Sequence, residues 1–312
     1  CLGTDRFGGA GGGFDALQIR WSASEDLAMW VPRTDNTAGD YRLDNGSQIV
    51  TAIQTRQEIL IFTDTAIYSM QFVGLPYVFT FNLLATNISI ISPNSVITAN
   101  NLVFWMGHDK FYVYDGQVRA LPSTLRSYVY DGMNKNQEFQ IFAGGNEGFN
   151  EAWWFYCSSG SNSIDSYVIY NYLENIWYFG SMARSAWLDS GSKSNPIAAD
   201  YNNRLLYHEV GTDDISGTSA TSLSSYIESS DFDIGDGDRF GYVSRLIPDL
   251  TFSGSTATNP EVSLTLTPRN FSGASYTTET AKSVSATALS PTELYTDVLD
   301  VRIRGRQMKF KI

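Results

Sequence analysis

Residues that carry chemistry are scarce in this 312-residue chain. Only two cysteines occur, Cys1 and Cys157, too few for a disulfide framework. Cys157 closes an apolar run and reads as a buried free thiol, a usage that suits assembly in a reducing compartment. The two histidines, His108 and His208, fall in a turn and at the end of a strand-like run, far apart. There is no His-x-x-x-His pair and no Cys/His cluster at zinc spacing. No Gly-x-Ser-x-Gly elbow is present. Residues 7–14 (FGGAGGGF) are Gly-rich but lack the Gly-Lys-Ser/Thr ending of a phosphate loop, and no helical pattern follows. No apolar run approaches the roughly 20 residues that cross a bilayer as a helix. No secretory signal is visible, and an opening Cys1 in place of Met points to a processed or partial chain. The expectation is a non-enzyme without cofactor, metal or membrane insertion.

Two motifs are weak. Asp231, Asp233, Asp236 and Asp238 (DFDIGDGD) miss the calcium-loop spacing. Gly235 stands where an oxygen ligand is needed, Asp236 where Gly is needed and Tyr242 where Glu is needed. They read as a strand ending in a tight turn. Residues 24–30 (SEDLAMW) are similar to the Asp-box of sialidase propellers. Here the tryptophan comes one residue early and the motif occurs once, so glycoside hydrolysis is not expected.

What the chain does have is aromatic and β-branched residues in short alternating runs. Apolar residues are 43% and aromatics 14%, enough for a substantial core, and no sustained helical stripe appears. Residues 95–122 carry the plainest pattern. Three runs, 96–99, 102–106 and 111–114, and a weaker fourth at 117–121, are separated by turn-forming Asn100-Asn101, 107–110 and Asp115-Gly116. Leu102, Phe104 and Met106 face one way, Val103 and Trp105 the other, so this strand is apolar on both faces. A lone four-stranded sheet of this size is marginal and needs cover.

Repetition of the same unit supplies that cover. Taking Ala52, Ala99, Ala143 and Ala199 as equivalent, the spacings are 47, 44 and 56 residues. Propeller blades of four strands recur at about 40–50 residues, and small residues suit close packing near a central channel. A β-sandwich of similar hairpins is the competing reading. Further strands are expected at 17–21, 27–31, 58–63, 66–72, 79–84, 88–91, 152–157, 166–172, 175–179 and 204–208. A short helix is expected within 121–131, with Ser123 as N-cap candidate and Leu125, Tyr128 and Val129 on one face.

The organisation is therefore a Gly-rich loop or linker at 1–13, a β-propeller at 14–210, a linker at 211–222 and a C-terminal β domain at 223–312. Net charge is −12, yet residues 302–312 hold five basic residues and no acid. An acidic surface of this kind does not bind nucleic acid non-specifically. It serves solubility, or keeps a passing polyanion from sticking. Near the end, apolar positions switch from Val301, Ile303 and Gly305 to Met308, Phe310 and Ile312, so one residue must be absorbed. A β-bulge at Gly305-Arg306 would do so, placing Arg302, Arg304, Arg306, Lys309 and Lys311 on one face. A salt-bridged strand face and a nucleic-acid contact are the two readings of that face.

Several ordered segments carry a family resemblance: RWSASEDLAMWVP, IQTRQEILIFTDTAIYSMQFVG, FWMGHDKFYVYDGQV, NEGFNEAWWFYCSSGSNSIDSYVIYNYLENIWYFGS and the terminal VRIRGRQMKFKI. Together they resemble the tail nozzle proteins of short-tailed bacteriophages, also called packaged-DNA stabilization or tail tubular B-type proteins. The resemblance runs from about residue 15 to the end and rests on no catalytic motif. It implies a propeller plus a platform-like β domain in a structural virion protein, assembled in the host cytoplasm. It further implies a hexameric homo-oligomeric ring below a head–tail connector or adaptor. Such a ring would retain packaged DNA and let it pass at ejection, with tail fibres or spikes docked outside. Under it, Arg302, Arg304, Arg306, Lys309 and Lys311 become candidates for the subunit interface or the DNA channel. The alternative function is a receptor-binding or adhesin propeller recognising a surface glycan, with Trp105, Trp153 and Trp177 as stacking platforms.

Overall fold

The computed structural model describes residues 2–5, 14–191, 193–211, 213–214, 221–223, 225–233, 236–248, 250, 252, 260–277, 282–285 and 298–312. The chain is mostly β and divides into two compact units, residues 1–219 and 220–312.

The larger unit is a succession of antiparallel sheets whose strands pair in chain order. Sheet 1 consists of Leu2–Asp5, Phe14–Trp21 and Gly39–Arg42. Sheet 2 consists of Ile49–Gln54, Ile59–Thr63, Ala66–Phe72 and Phe79–Thr86. Sheet 3 consists of Val96–Ala99, Leu102–Met106, Phe111–Tyr114 and Val118–Leu121. Sheet 4 consists of Phe142–Asn146, Glu151–Tyr156, Ser166–Asn171 and Ile176–Ser181. Sheet 5 consists of Ala186–Leu188, Ile197–Ala199 and Leu205–Tyr207. The first strands begin at Leu2, Ile49, Val96, Phe142 and Ala186, a period of 47, 47, 46 and 44 residues.

Turn chemistry sets the register. Asn100 and Asn101 sit at φ 46° and 64°, the left-handed pair that a two-residue hairpin requires and that asparagine tolerates. The turn pairs Ala99 with Leu102 and Val96 with Trp105. Side-chain alternation along Leu102–Met106 then decides the packing. Val103 and Trp105 pack with Leu60, Phe62 and Ile67 of sheet 2. Phe104 and Met106 pack with Trp154 and Tyr170 of sheet 4. Trp105, Trp154 and Phe104 are essentially without water contact. Sheet 2 turns Ile61 and Tyr68 toward Leu17 and Ile19 of sheet 1. Sheet 4 turns Trp153 and Phe155 toward Trp187 of sheet 5, with ring centroids 4.9 and 5.5 Å away. Each interior sheet is thus covered on both faces by its neighbours.

Polar links cross the same seams. Glu58 of the turn before Ile59–Thr63 accepts hydrogen bonds from Ser69, from Gln71 at 3.0 Å and from the Tyr114 hydroxyl of sheet 3 at 2.5 Å. Burial pushes this carboxyl up, but the three donors together hold it below its ordinary value. Beside sheet 5, Arg184 Nε donates to His208 Nε2 at 3.0 Å, and the His208 ring lies 4.7 Å from that of Trp187. Burial and the adjacent guanidinium lower the His208 pKa to about 4.

Several expectations are corrected. Residues 2–5, placed in a leading loop, form a strand on Phe14–Trp21, while 6–13 lie outside the described residues. Residues 27–31 form a loop closed locally by the Ala23 to Met29 backbone bond, and Gly39–Arg42 takes the expected pairing position instead. Residues 88–91 are an irregular connector whose Ile91 N–H donates to the Met106 carbonyl. Ala199 is not equivalent to Ala52 and Ala143: it lies in the second strand of sheet 5, opposite Ala186 of the first. Short, similar runs made the two strands interchangeable in sequence. The helix is Arg126–Gly132, with Leu125 at its N-cap and no side-chain cap. Ser123 Oγ instead accepts from Leu125 N–H, and Tyr128 is exposed while Val129 is buried.

In the smaller unit, Leu299–Gly305 pairs with Gly241–Leu246. Gln307–Lys311 pairs with Glu261–Arg269 and with Phe232–Asp233. Lys282–Ser285 lies on the other side of Glu261–Arg269. The expected phase change is real, but it is a change of sheet at Arg306 rather than a bulge within one strand. Val301 and Ile303 from one sheet and Met308 and Leu266 from the other share one core. Upstream, Phe232–Asp233 forms a short strand, Glu228 bridges Lys311, and Ile227 and Ile312 exchange backbone bonds.

Two outcomes follow from this packing. Phe104→Ala should lower unfolding stability by about 3–5 kcal/mol, whereas exposed Leu205→Ala should stay within about 0.5 kcal/mol, both read from urea midpoints. Equal costs would contradict the covered sheet. A histidine whose folded pKa lies below the unfolded 6.5 contributes stability that is complete above pH 6.5 and is lost as pH falls toward 4. His208→Gln should therefore flatten the stability profile between pH 6.5 and 4 relative to the parent. The difference should be on the order of 1 kcal/mol, since the imidazole is partly wet.

Candidate functional site

The first strands of sheets 2 to 5 border one cleft of about 700 Å³. Its floor is apolar and small: Ala52, Ile53, Val96, Ala143, Ile164 and Ala186. Sheets 3 and 4 are tied together beside it. Ala143 N–H donates to the Asn94 carbonyl at 2.7 Å, and Ser92 Oγ donates to the Ile141 carbonyl at 2.5 Å. On the other side, Gly144 lets Trp187 of sheet 5 approach sheet 4, because a Cβ there would stand 2.5 Å from the Trp187 ring. Trp187 Nε1 in turn donates to the Gly145 carbonyl at 2.7 Å.

The cleft walls carry Thr51, Asn94, Gln140 and Ser185, all neutral. Among the described residues no charged side chain lines it. That is notable in a unit with 12 basic and 22 acidic side chains, a net of −10. At the mouth stand two aromatics, Phe139 at 68% exposure and Tyr201 at 47%. Phe139 belongs to the 3-10 turn Lys135–Gln140, anchored by Asn134, whose side chain accepts from Asn136 N–H. Tyr201 is held by its hydroxyl, which accepts from Ile164 N–H at 3.0 Å.

Neither mouth residue was singled out in the sequence. Phe139 sits in a polar stretch (KNQEFQ) and Tyr201 follows a strand, so no periodicity marks them. The tryptophans weighed as platforms are elsewhere: Trp105 and Trp153 are buried in the seams. Trp177 is partly buried, with its Nε1 donating to the Pro122 carbonyl at 2.9 Å. His108 is exposed, 3.2 Å from Glu138, and remote in sequence and sheet from His208. Cys157 is buried, which pushes its thiol pKa up and argues against a reactive thiolate. Among the described residues no cluster of His, Cys, Asp or Glu is arranged to hold a metal ion. Asp231 instead pairs with Arg269 at 2.7 Å and accepts from Tyr276.

The five basic candidates separate into three environments. Arg302 and Arg304 alternate with buried Val301 and Ile303 and point to water. The Arg304 guanidinium lies 4.5 Å from the Phe240 ring centroid, and Tyr242 sits opposite Arg304 in the ladder. Arg306, at the sheet switch, donates from Nε to the Gly237 carbonyl at 2.8 Å. Lys309 pairs with Glu228 at 2.5 Å, and Lys311 lies 4.0 Å from the same carboxylate and 4.0 Å from the Tyr226 ring centroid. The hydrogen bond to Glu228 holds Lys309 above its ordinary pKa. One shared face was expected. The change of sheet at Arg306 puts the lysines on another sheet and leaves Arg302 and Arg304 as the outward pair.

No family model and no curated protein matches the chain. Among solved structures, the extracellular domain of a one-component system from B. thetaiotaomicron is similar at a TM-score of 0.34 and 12% identity, over 85% of this chain. The chain spans 36% of the length of that protein, and at this TM-score the likeness carries no weight for fold or function.

Proposed function

We propose that this chain is a structural protein of a short-tailed phage tail, a nozzle subunit whose ring retains packaged DNA and lets it leave. In this reading the larger unit is a β-propeller or an arc of one, with each sheet a blade. Its blades would meet at the cleft through their first strands.

The observation that carries the reading is where the resembling segments fall. FWMGHDKFYVYDGQV spans the second and third strands of sheet 3 and enters the fourth. AWWFYC and SYVIYNYLENIWYF cover the remaining three of sheet 4. VRIRGRQMKFKI is the segment that changes sheet at Arg306. These stretches are building elements of the two units, whereas RWSASEDLAMWVP lies mostly in the loop that follows Trp21. A radial arrangement is further supported by the graded exposure of the sheets. The first strands share a cleft, whereas outer strands such as Ile176–Ser181 are largely exposed. The acidic balance of the larger unit fits a channel past which DNA slides without adhering.

Ring formation requires a contact between copies, and the outward pair Arg302 and Arg304 is its candidate. Arg304, stacked on the Phe240 ring, is held in place and presents its guanidinium for charge-assisted bonds with a neighbour's carboxylates, and Arg302 stands beside it on the same outward face. Partners would be a connector above the ring and fibres or spikes outside it.

Negative-stain images and native mass measurement of the purified chain test this reading. A ring of several copies is expected in the parent. Arg302→Glu with Arg304→Glu should leave only monomers, with an unchanged thermal midpoint. A parent that stays monomeric at high concentration, or a double variant that still forms rings, would count against it.

A further inference from the structure

We propose that the cleft between the first strands of sheets 2 to 5 binds a neutral saccharide, with Phe139 and Tyr201 as its stacking platforms. The inference rests on the cleft alone and does not need the ring.

Size and shape come first. A volume of about 700 Å³ falls within the roughly 300–1,000 Å³ typical of small-ligand sites. The charge of the lining then narrows the ligand. An anion would meet no basic side chain in the walls and would sit in a unit of net −10. A cation would meet no carboxylate there. A purely apolar guest would bury Thr51, Asn94, Gln140 and Ser185 against hydrocarbon, leaving their polar atoms without water. The remaining class has an apolar face and uncharged hydroxyls around its rim, which describes a sugar ring.

The groups needed for such a ligand are present. Sugar C–H faces carry the edge-positive character that the negative face of an aromatic ring attracts. Phe139 and Tyr201 offer two such rings: Tyr201 is fixed through its hydroxyl, and Phe139 is carried on the capped turn Lys135–Gln140. Gln140 Nε2 is already bound to the Gln137 side chain and to the Asn162 carbonyl at 3.0 Å. Its Oε1 is therefore the group left to accept from a hydroxyl. The side chains of Thr51 and Asn94 make no hydrogen bond to described residues and supply both donors and acceptors. The apolar floor adds the area that desolvates the ring.

The probe is the full chain, titrated calorimetrically with soluble hexamers of β-glucan, mannan, galactan and chito-oligosaccharide, with sialylated and sulfated oligosaccharides alongside. At least one neutral hexamer should bind and the acidic ones should not. Phe139→Ala and Asn94→Ala, both at exposed positions, should weaken that binding by about tenfold or more at an unchanged thermal midpoint. Binding that persists in both variants would overturn the proposal. So would tighter binding of the acidic sugars, or no binding of any neutral hexamer. The ring-dissociating Arg302→Glu/Arg304→Glu variant should bind the same hexamer as the parent, so failure of the nozzle reading and failure of this one are separable.

Discussion

Leu102–Met106 has no polar face, and most of the larger unit can be understood from that constraint. A thin antiparallel sheet whose central strand is apolar on both sides loses stability unless both sides leave water. Trp105 and Phe104 point in opposite directions and are each buried by a different neighbouring sheet. The same holds for Trp153 and Trp154 one sheet further on. The sheets therefore stabilise one another in succession, and no single sheet owns its core. Aromatic contacts such as Phe62 with Trp105 at 5.2 Å and Phe111 with Trp154 at 4.9 Å tie the seams together. Sheet 5, with exposed Leu188, Leu205 and Tyr207, shows what a sheet looks like when one face lacks this cover.

The requirement that stacks the sheets also creates the cleft. Large aromatics occupy the second and third strands, while the first strands carry Ala52, Ala99, Ala143, Gly144 and Gly145. Small residues let these strands approach, and Gly144 leaves room for the Trp187 ring. The hydrogen-bonding needs of the walls are met partly between sheets, as in Ala143 to Asn94, and partly left for solvent or a ligand.

The smaller unit solves a related problem with less material. One segment serves two sheets by changing partner at Arg306, so that Val301, Ile303 and Met308 reach a common core despite their mismatched parity. The cost is a residue out of register, and the Arg306 guanidinium caps the Gly237 carbonyl at that point. The same switch separates the basic residues, leaving Arg302 and Arg304 outward and the lysines engaged with Glu228.

Strand type, the two-faced burial of sheet 3 and the Asn100-Asn101 turn were legible in the sequence, because they depend on neighbours a few residues away. So was the odd-to-even change after Gly305, since parity is a property of the chain alone. The repeat was legible only as irregular spacings of 47, 44 and 56 residues, because its last step, to Ala199, ends in a second strand. Which strand opens each sheet was not: Ala199 and Ala186 have similar surroundings in sequence, and only pairing distinguishes them. Nor could the sequence distinguish a bulge from a change of sheet, because both absorb one residue. Phe139 and Tyr201 were invisible for the same reason, being 62 positions apart in polar stretches without periodicity. Local sterics and side-chain alternation thus determined the elements from the sequence itself. The cleft, its neutral lining and the outward arginine pair were decided by tertiary structure, because each depends on which distant strands come to lie side by side.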